Sequence, residues 1–499
     1  MKSNMPFLRI NLVRSRVIRV LASIAAVGMA SWMAEAATAF LPDGGEYLPA
    51  GPQPGDQTAP AVAISPDGGY LVWQDSSGNG DGAGIRARRI GKNFSGSLPA
   101  FWVNSNATTI NEAPDVALLN DGGAVFAWQA GPLGRPGIYV RFLHPVTSAT
   151  PNFAGADVEI IAGGRTPNQN PRLARLTDGS VIVAWSNVGL DGDLAGVFVQ
   201  KLSASGQKIG SPFAANVTTA GNQRSPAVTP TADGGFAVAW VGENQRFDRS
   251  ADVFARMFSS TGFPLTGEVR LNAGTNICAT PSIAALPGGG FAAAWSEYDY
   301  DDPASGWDVI AASYDGSATA LAVPQTINAY RLSDQLSPRV AVAGDTVLVA
   351  WTSNRQDGYQ EGVFGRYLAA TGEIADDEFG LNDTVISIQK EPVVASDGVN
   401  HFVAAWTSFQ SLDAGFDVIA RKYAKPASVV ALNASLAITA DGARLEWNTE
   451  IGGRYQVQQS SDLNQWNTDA AARTASSSSD SVVFPLTSSS SFFRIVRLP

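Results

Sequence analysis

Between residues 297 and 307 the chain reads Glu297-Tyr-Asp-Tyr-Asp-Asp-Pro-Ala-Ser-Gly-Trp307. Aromatic rings beside carboxylates can stack on a sugar and hydrogen-bond its hydroxyls. Two carboxylates about 5–10 Å apart would add glycoside chemistry. Two further acidic segments, Asp191-Gly-Asp193 and Asn79-Gly-Asp81, stand in equivalent places elsewhere in the sequence. Oxygen-rich loops of this kind can hold Ca²⁺, which takes about six to eight oxygen ligands. None of them matches a full calcium-loop pattern, so calcium is kept only as an alternative and no other cofactor is expected. The candidate binding residues are Tyr298, Asp299, Tyr300, Asp301, Asp302, Trp307, Asp191 and Asp193. No catalytic residue and no metal ligand is assigned.

Other chemistries lack their residues. His144 and His401 are the only histidines, and Cys278 is the only cysteine. The two histidines lie in different units, with no nearby Cys and no metal-ligand partner at helical spacing, so neither a Ser-His-Asp triad nor a histidine-based zinc site is expected. The Gly-Gly pairs precede apolar, strand-like runs, so they read as turns, not as phosphate-cradling loops. An internal disulfide cannot form, and a lone thiol reads as a small buried hydrophobe.

The elements that carry these loops follow from seven tryptophans: Trp73, Trp128, Trp185, Trp240, Trp295, Trp351 and Trp406. Successive gaps are 55, 57, 55, 55, 56 and 55 residues, the mark of one unit copied seven times. Each tryptophan ends an apolar run behind a tight turn, as in Ala232-Asp-Gly-Gly-Phe-Ala-Val-Ala-Trp240. Asp-Gly suits the positive backbone dihedrals of a hairpin. A shorter strand comes before each turn and is read as opening on proline: Pro60, Pro114, Pro171, Pro226, Pro281, Pro338 and Pro392. After the tryptophan comes a polar loop. A third strand follows it, with arginine at one register in most units (Arg88, Arg141, Arg256, Arg366, Arg421) but Gln200 and Ala312 in two. A fourth strand ends the unit. We label the strands A to D in chain order. The tryptophans and the arginines are read as structural.

A lone four-stranded meander cannot bury both its faces. Stacking in a row would leave polar caps to find, whereas radial closure gives a β-propeller. The seventh unit stops after its third strand, and a spare fourth strand, Gly45-Glu-Tyr-Leu-Pro-Ala-Gly51, precedes the first. That segment matches Gly267-Glu-Val-Arg-Leu-Asn-Ala-Gly274. The expected fold is therefore all-β: a seven-bladed β-propeller over residues 40–424, its last blade closed by the N-terminal strand. B-to-C loops and D-to-A connections emerge together on one side of such a ring, which is where binding loops are expected.

Residues 1–36 read as a signal peptide: a basic leader, an apolar stretch and small-x-small sites at Ala34-Glu-Ala36 and Ala37-Thr-Ala39. From 425 to 499 the period is lost. Tyr455, Val457, Ser460, Asp462, Leu463 and Trp466, followed by Phe492-Phe-Arg-Ile, resemble the small fibronectin-like modules at the ends of secreted bacterial proteins. That resemblance implies a β-sandwich and no catalysis. The seven units resemble the Asp-Gly-Gly-Phe-x-Val-x-Trp repeats of large secreted or surface bacterial proteins.

The formal net charge is −11, which disfavours nucleic acid and anionic lipid. No segment after the leader is apolar enough to span a membrane. The expectation is a secreted, periplasmic or cell-surface monomer that binds extracellular glycan or protein through the B-to-C loops, without catalysis. One alternative is a polysaccharide-active hydrolase or lyase with carboxylates at the channel mouth. The other is a calcium-stabilised structural repeat protein.

Overall fold

The computed structural model describes residues 8–9, 40–51, 53–79, 82–106, 109–300, 306–411 and 415–425. In the tail it describes residues 434–439, 442–449, 452–460, 467–468, 472–485 and 492–498. Two compact units divide the chain, residues 37–425 and residues 1–36 with 426–499. Among the described residues there is no helix, and the larger unit forms seven four-stranded antiparallel sheets.

The A strands are Gln57–Ser65, Ile110–Leu118, Asn168–Arg175, Gln223–Pro230, Ile277–Ala285, Gln335–Ala343 and Gln389–Ser396. They contact one another in sequence order, and the seventh also contacts the first. Each sheet then runs outward through its tryptophan strand B, strand C and a short strand D. In the seventh sheet the D position is taken by Leu41–Pro42, whose partners are Ala424 and Tyr423.

The turn between strands A and B needs both glycines of its motif. Gly234 sits at φ +88°, where a Cβ is strained. A Cβ on Gly235 would stand 2.2 Å from the Phe258 carbonyl oxygen at the end of strand C. Strand B is then buried on both faces, which explains its continuous apolar sequence.

Each junction between neighbouring sheets holds one apolar cluster with one tryptophan. Trp128, for example, packs with Tyr70 and Phe126 between the first and second sheets. Trp73 packs with Ala405 and Val418 where the seventh meets the first. All seven tryptophans are at most 1% exposed, in keeping with their structural reading. The strand-C arginines cross the same junctions. Arg366 donates to the Ile327 carbonyl at 2.8 Å and Arg256 to that of Ala215 at 3.1 Å.

The prolines are not strand openers. Every A strand begins three or four residues earlier, and its ladder shifts register at the proline. The residue before each proline, from Ala59 (φ 48°) to Glu391 (φ 55°), adopts the left-handed conformation. The proline thus occupies a bulge, where its missing N–H costs no ladder bond. No glycine announces this left-handed residue, which is why the sequence hides it.

In the smaller unit, Ala434–Thr439, Gly442–Asn448 and Ser479–Phe484 make a three-stranded sheet. A five-stranded sheet joins Arg454–Ser460, Phe492–Leu498, Asn467–Thr468, Arg473–Thr474 and Leu8–Arg9. Leu445, Trp447, Tyr455, Val457 and Phe493 share one buried cluster. Except for Leu8–Arg9, the segment read as a signal peptide lies outside the described residues, as do Asp462, Leu463 and Trp466 of the tail motif. No helix among the described residues is long and apolar enough to cross a membrane.

Candidate functional site

The fifth B-to-C loop brings its aromatic residues together. Tyr298 and Trp307 are the last ladder pair of strands B and C, with ring centroids 5.7 Å apart. Tyr300 meets the edge of Tyr298 at 5.3 Å and is 59% exposed. The Trp307 N–H donates to Asp334 Oδ1 at 3.2 Å. Glu297, the loop's first carboxylate, turns inward and accepts from the indole of Trp295 at 3.0 Å. Asp301 and Asp302 lie outside the described residues. Asp299 precedes them in the same loop.

Asp191 and Asp193 belong to the third sheet's loop, two sheets away in ring order. Their carboxylates hold the neighbouring connection: Asp191 Oδ2 accepts from Asn216 Nδ2 at 3.2 Å, and Asp193 Oδ2 from the Gly221 N–H at 3.0 Å. Among the described residues no group of three or more His, Cys, Asp or Glu side chains is placed to hold a metal ion.

A second constellation sits inside the ring. The seven A strands enclose a cavity of about 450 Å³, and its wall is chiefly proline, alanine and aliphatic residues. The residue after each bulge proline lines it: Ala61, Asp115, Arg172, Ala227, Ser282, Arg339 and Val393. Glu391, the left-handed residue of the seventh strand, completes the wall. A wider space of about 900 Å³ lies toward the A-to-B turns and shares Val62, Leu173 and Val228 with the first.

Two carboxyl groups and two guanidiniums, those of Asp115, Glu391, Arg172 and Arg339, belong to this lining. Asp115 Oδ2 accepts the Leu173 N–H of the next sheet at 2.8 Å, which fixes its side chain. Desolvation raises the Asp115 pKa, against the pull of Arg172, the Leu173 and Val116 N–H groups and Arg339. Desolvation and the neighbouring Arg172 charge lower the Arg339 pKa to about 10, while Asp115 and Glu391 oppose the change. Arg339 still carries its proton at neutral pH. Both carboxylates therefore lie within electrostatic reach of the same arginine in one cavity. Such an arrangement can donate a proton from one carboxyl, accept one at the other and hold an anion between the arginines.

None of these four residues was singled out by the sequence reading. The signal was present in the repeat: the position after each bulge proline is small or aliphatic in four units and charged in three. Read as a column, that position marks Asp115, Arg172 and Arg339 at once.

No family model matches the sequence, and no curated protein matches it. Among solved structures, a protein of unknown function from Dyadobacter fermentans is 12% identical, with a TM-score of 0.44, over 65% of this chain and 97% of its own. A Penicillium chrysogenum alpha-L-arabinanase complexed with arabinobiose is 14% identical, with a TM-score of 0.43, over 67% of this chain and 98% of its own. The polysaccharide lyase Uly1 is 10% identical, with a TM-score of 0.45, over 74% of this chain and 90% of its own. Most of these similar structures are polysaccharide-active enzymes, which corrects the expectation of a non-catalytic binding or adhesion protein. At such identities the likeness concerns the all-β frame, and no residue is carried across.

Proposed function

We propose that this chain is an exported polysaccharide-active enzyme: a seven-bladed β-propeller that cleaves glycosidic bonds in its central channel, followed by a small β-sandwich. The observation that carries the reading is that Asp115, Glu391 and Arg339 line one cavity. The cavity's volume falls in the usual range for small-ligand sites, so a chain end or a short branch enters it, not the middle of a stiff polymer. Tyr298, Tyr300 and Trp307 on the fifth B-to-C loop supply a stacking surface for sugars further along the chain.

In the hydrolytic form of the reaction, protonated Asp115 gives its proton to the glycosidic oxygen as the bond from that oxygen to the anomeric carbon breaks. Glu391 takes a proton from water, and the water oxygen bonds to the anomeric carbon. One water is consumed and two free sugar ends result. The raised pKa of Asp115 suits a proton donor, and exposed Glu391 has access to water.

The purified mature protein is to be incubated with a panel of neutral, uronic and sulfated polysaccharides. Reducing ends report cleavage, and ultraviolet absorbance reports the unsaturated end that a lyase leaves. Release of ends from at least one polysaccharide is expected. Absorbing products would assign elimination in place of hydrolysis, and no cleavage of any member would reject the enzyme.

A further inference from the structure

We infer that the sugar unit entering the channel carries an oxyanion, a uronic carboxylate or a sulfate ester, and that Arg172 and Arg339 grip it together. This rests on the channel being the site of glycan cleavage and adds the class of substrate.

A guanidinium presents five N–H donors in a rigid fork. Arg172 Nη1 donates to the Pro171 carbonyl at 3.0 Å, and Arg339 Nη1 to that of Pro338 at 2.9 Å. Each bond ties the arginine to its own bulge and leaves the rest of the fork for another acceptor. Among the described residues neither arginine forms an ion pair within 4.0 Å, although both line the same cavity. Two like charges lining one cavity beside alanine, proline and valine side chains repel each other. An anion placed between them relieves that repulsion, and a planar carboxylate matches the fork with two parallel bonds.

The rest of the wall agrees. Ser282 Oγ accepts the Val340 N–H at 3.1 Å, so its own hydrogen remains for a ligand oxygen. Glu391 is the second negative group, and it sits exposed at the rim. Two guanidiniums and two carboxyl groups thus line the cavity, within a protein whose net charge is −11.

The test measures kcat and KM of the full mature protein on three end-labelled oligosaccharide sets of matched length: uronic, sulfated and neutral. Arg339→Gln and Arg172→Gln are compared with the unaltered protein, and melting curves confirm that each is folded. The inference predicts cleavage of an acidic set over the neutral one, with KM for that set rising about 10- to 100-fold in either variant. Whichever acidic set is preferred identifies the oxyanion as carboxylate or sulfate. Equal cleavage of the neutral set, unchanged in both variants, would overturn the inference and leave the enzyme standing. Cleavage of no set would remove the enzyme itself.

Discussion

At the scale of single residues, burial decides which carboxyl groups keep a proton. Asp115 and Asp417 are both raised, with desolvation the leading cause, and at Asp417 the Asp75 charge adds to it. Asp417 is 6% exposed, and its Oδ1 has no hydrogen-bond partner. The folded pKa lies above the unfolded value, so the charged form is penalised only in the folded state. The penalty is absent below the unfolded pKa, near 3.9, and grows as pH rises through the folded one. Asp417→Asn should therefore stabilise the protein at pH 7, by on the order of 1 kcal/mol. The gain should vanish near pH 4, as read from melting curves at both pH values. For Asp115 the same shift sets the chemistry. Cleavage by hydrolysis should fall as pH rises through the Asp115 pKa, because the donor is then empty. A pH profile of kcat with no alkaline fall would remove Asp115 from the role of acid.

At the scale of elements, the closure of the ring is one set of hydrogen bonds made twice. Glu268 of the fourth sheet accepts the N–H groups of Val217 and Thr218 at 2.6 and 3.1 Å and the Thr218 hydroxyl at 2.7 Å. Glu46, ahead of the first sheet, accepts those of Asp383 and Thr384 at 2.6 and 3.2 Å and the Thr384 hydroxyl at 2.7 Å. Tyr47 then exchanges backbone bonds with Ala420 at 3.0 and 2.9 Å. Glu46→Ala and Glu268→Ala should each cost about 1–3 kcal/mol, and by similar amounts, in denaturant unfolding. A large loss for Glu268 with none for Glu46 would mean that the ring is open at its seam. Trp240→Ala should cost roughly 3–5 kcal/mol, because the indole is fully enclosed. These elements were legible because a repeated tryptophan, a repeated turn and a repeated Glu leave a period in the sequence. The bulges were not legible, since alanine, serine, threonine, asparagine and glutamate all occupy the left-handed position and none advertises it.

At the scale of the whole molecule, the frame could be read and its interior could not. Local density drew the sequence reading to the Glu297–Trp307 loop, where the aromatic cluster does form. Asp191 and Asp193 turned out to brace a neighbouring connection. The channel residues Asp115, Arg172, Arg339 and Glu391 come from four units far apart in the chain, and only ring closure brings them together. The overall negative charge has a consequence of its own. If the substrate is acidic, long-range repulsion slows its approach, and screening over about 8 Å at physiological salt should lower KM relative to very low salt. A neutral substrate should show no such dependence, so KM against ionic strength separates the two.

The most direct test of channel catalysis compares glycan cleavage by the unaltered protein with that by Asp115→Asn and Glu391→Gln. Asn at position 115 keeps an oxygen for the Leu173 N–H, so the fold is retained while the proton donor is lost. A fall in kcat of about 10²- to 10⁴-fold in each variant, with unchanged melting, is the predicted result. Full activity in both folded variants would contradict a reaction centred in the channel.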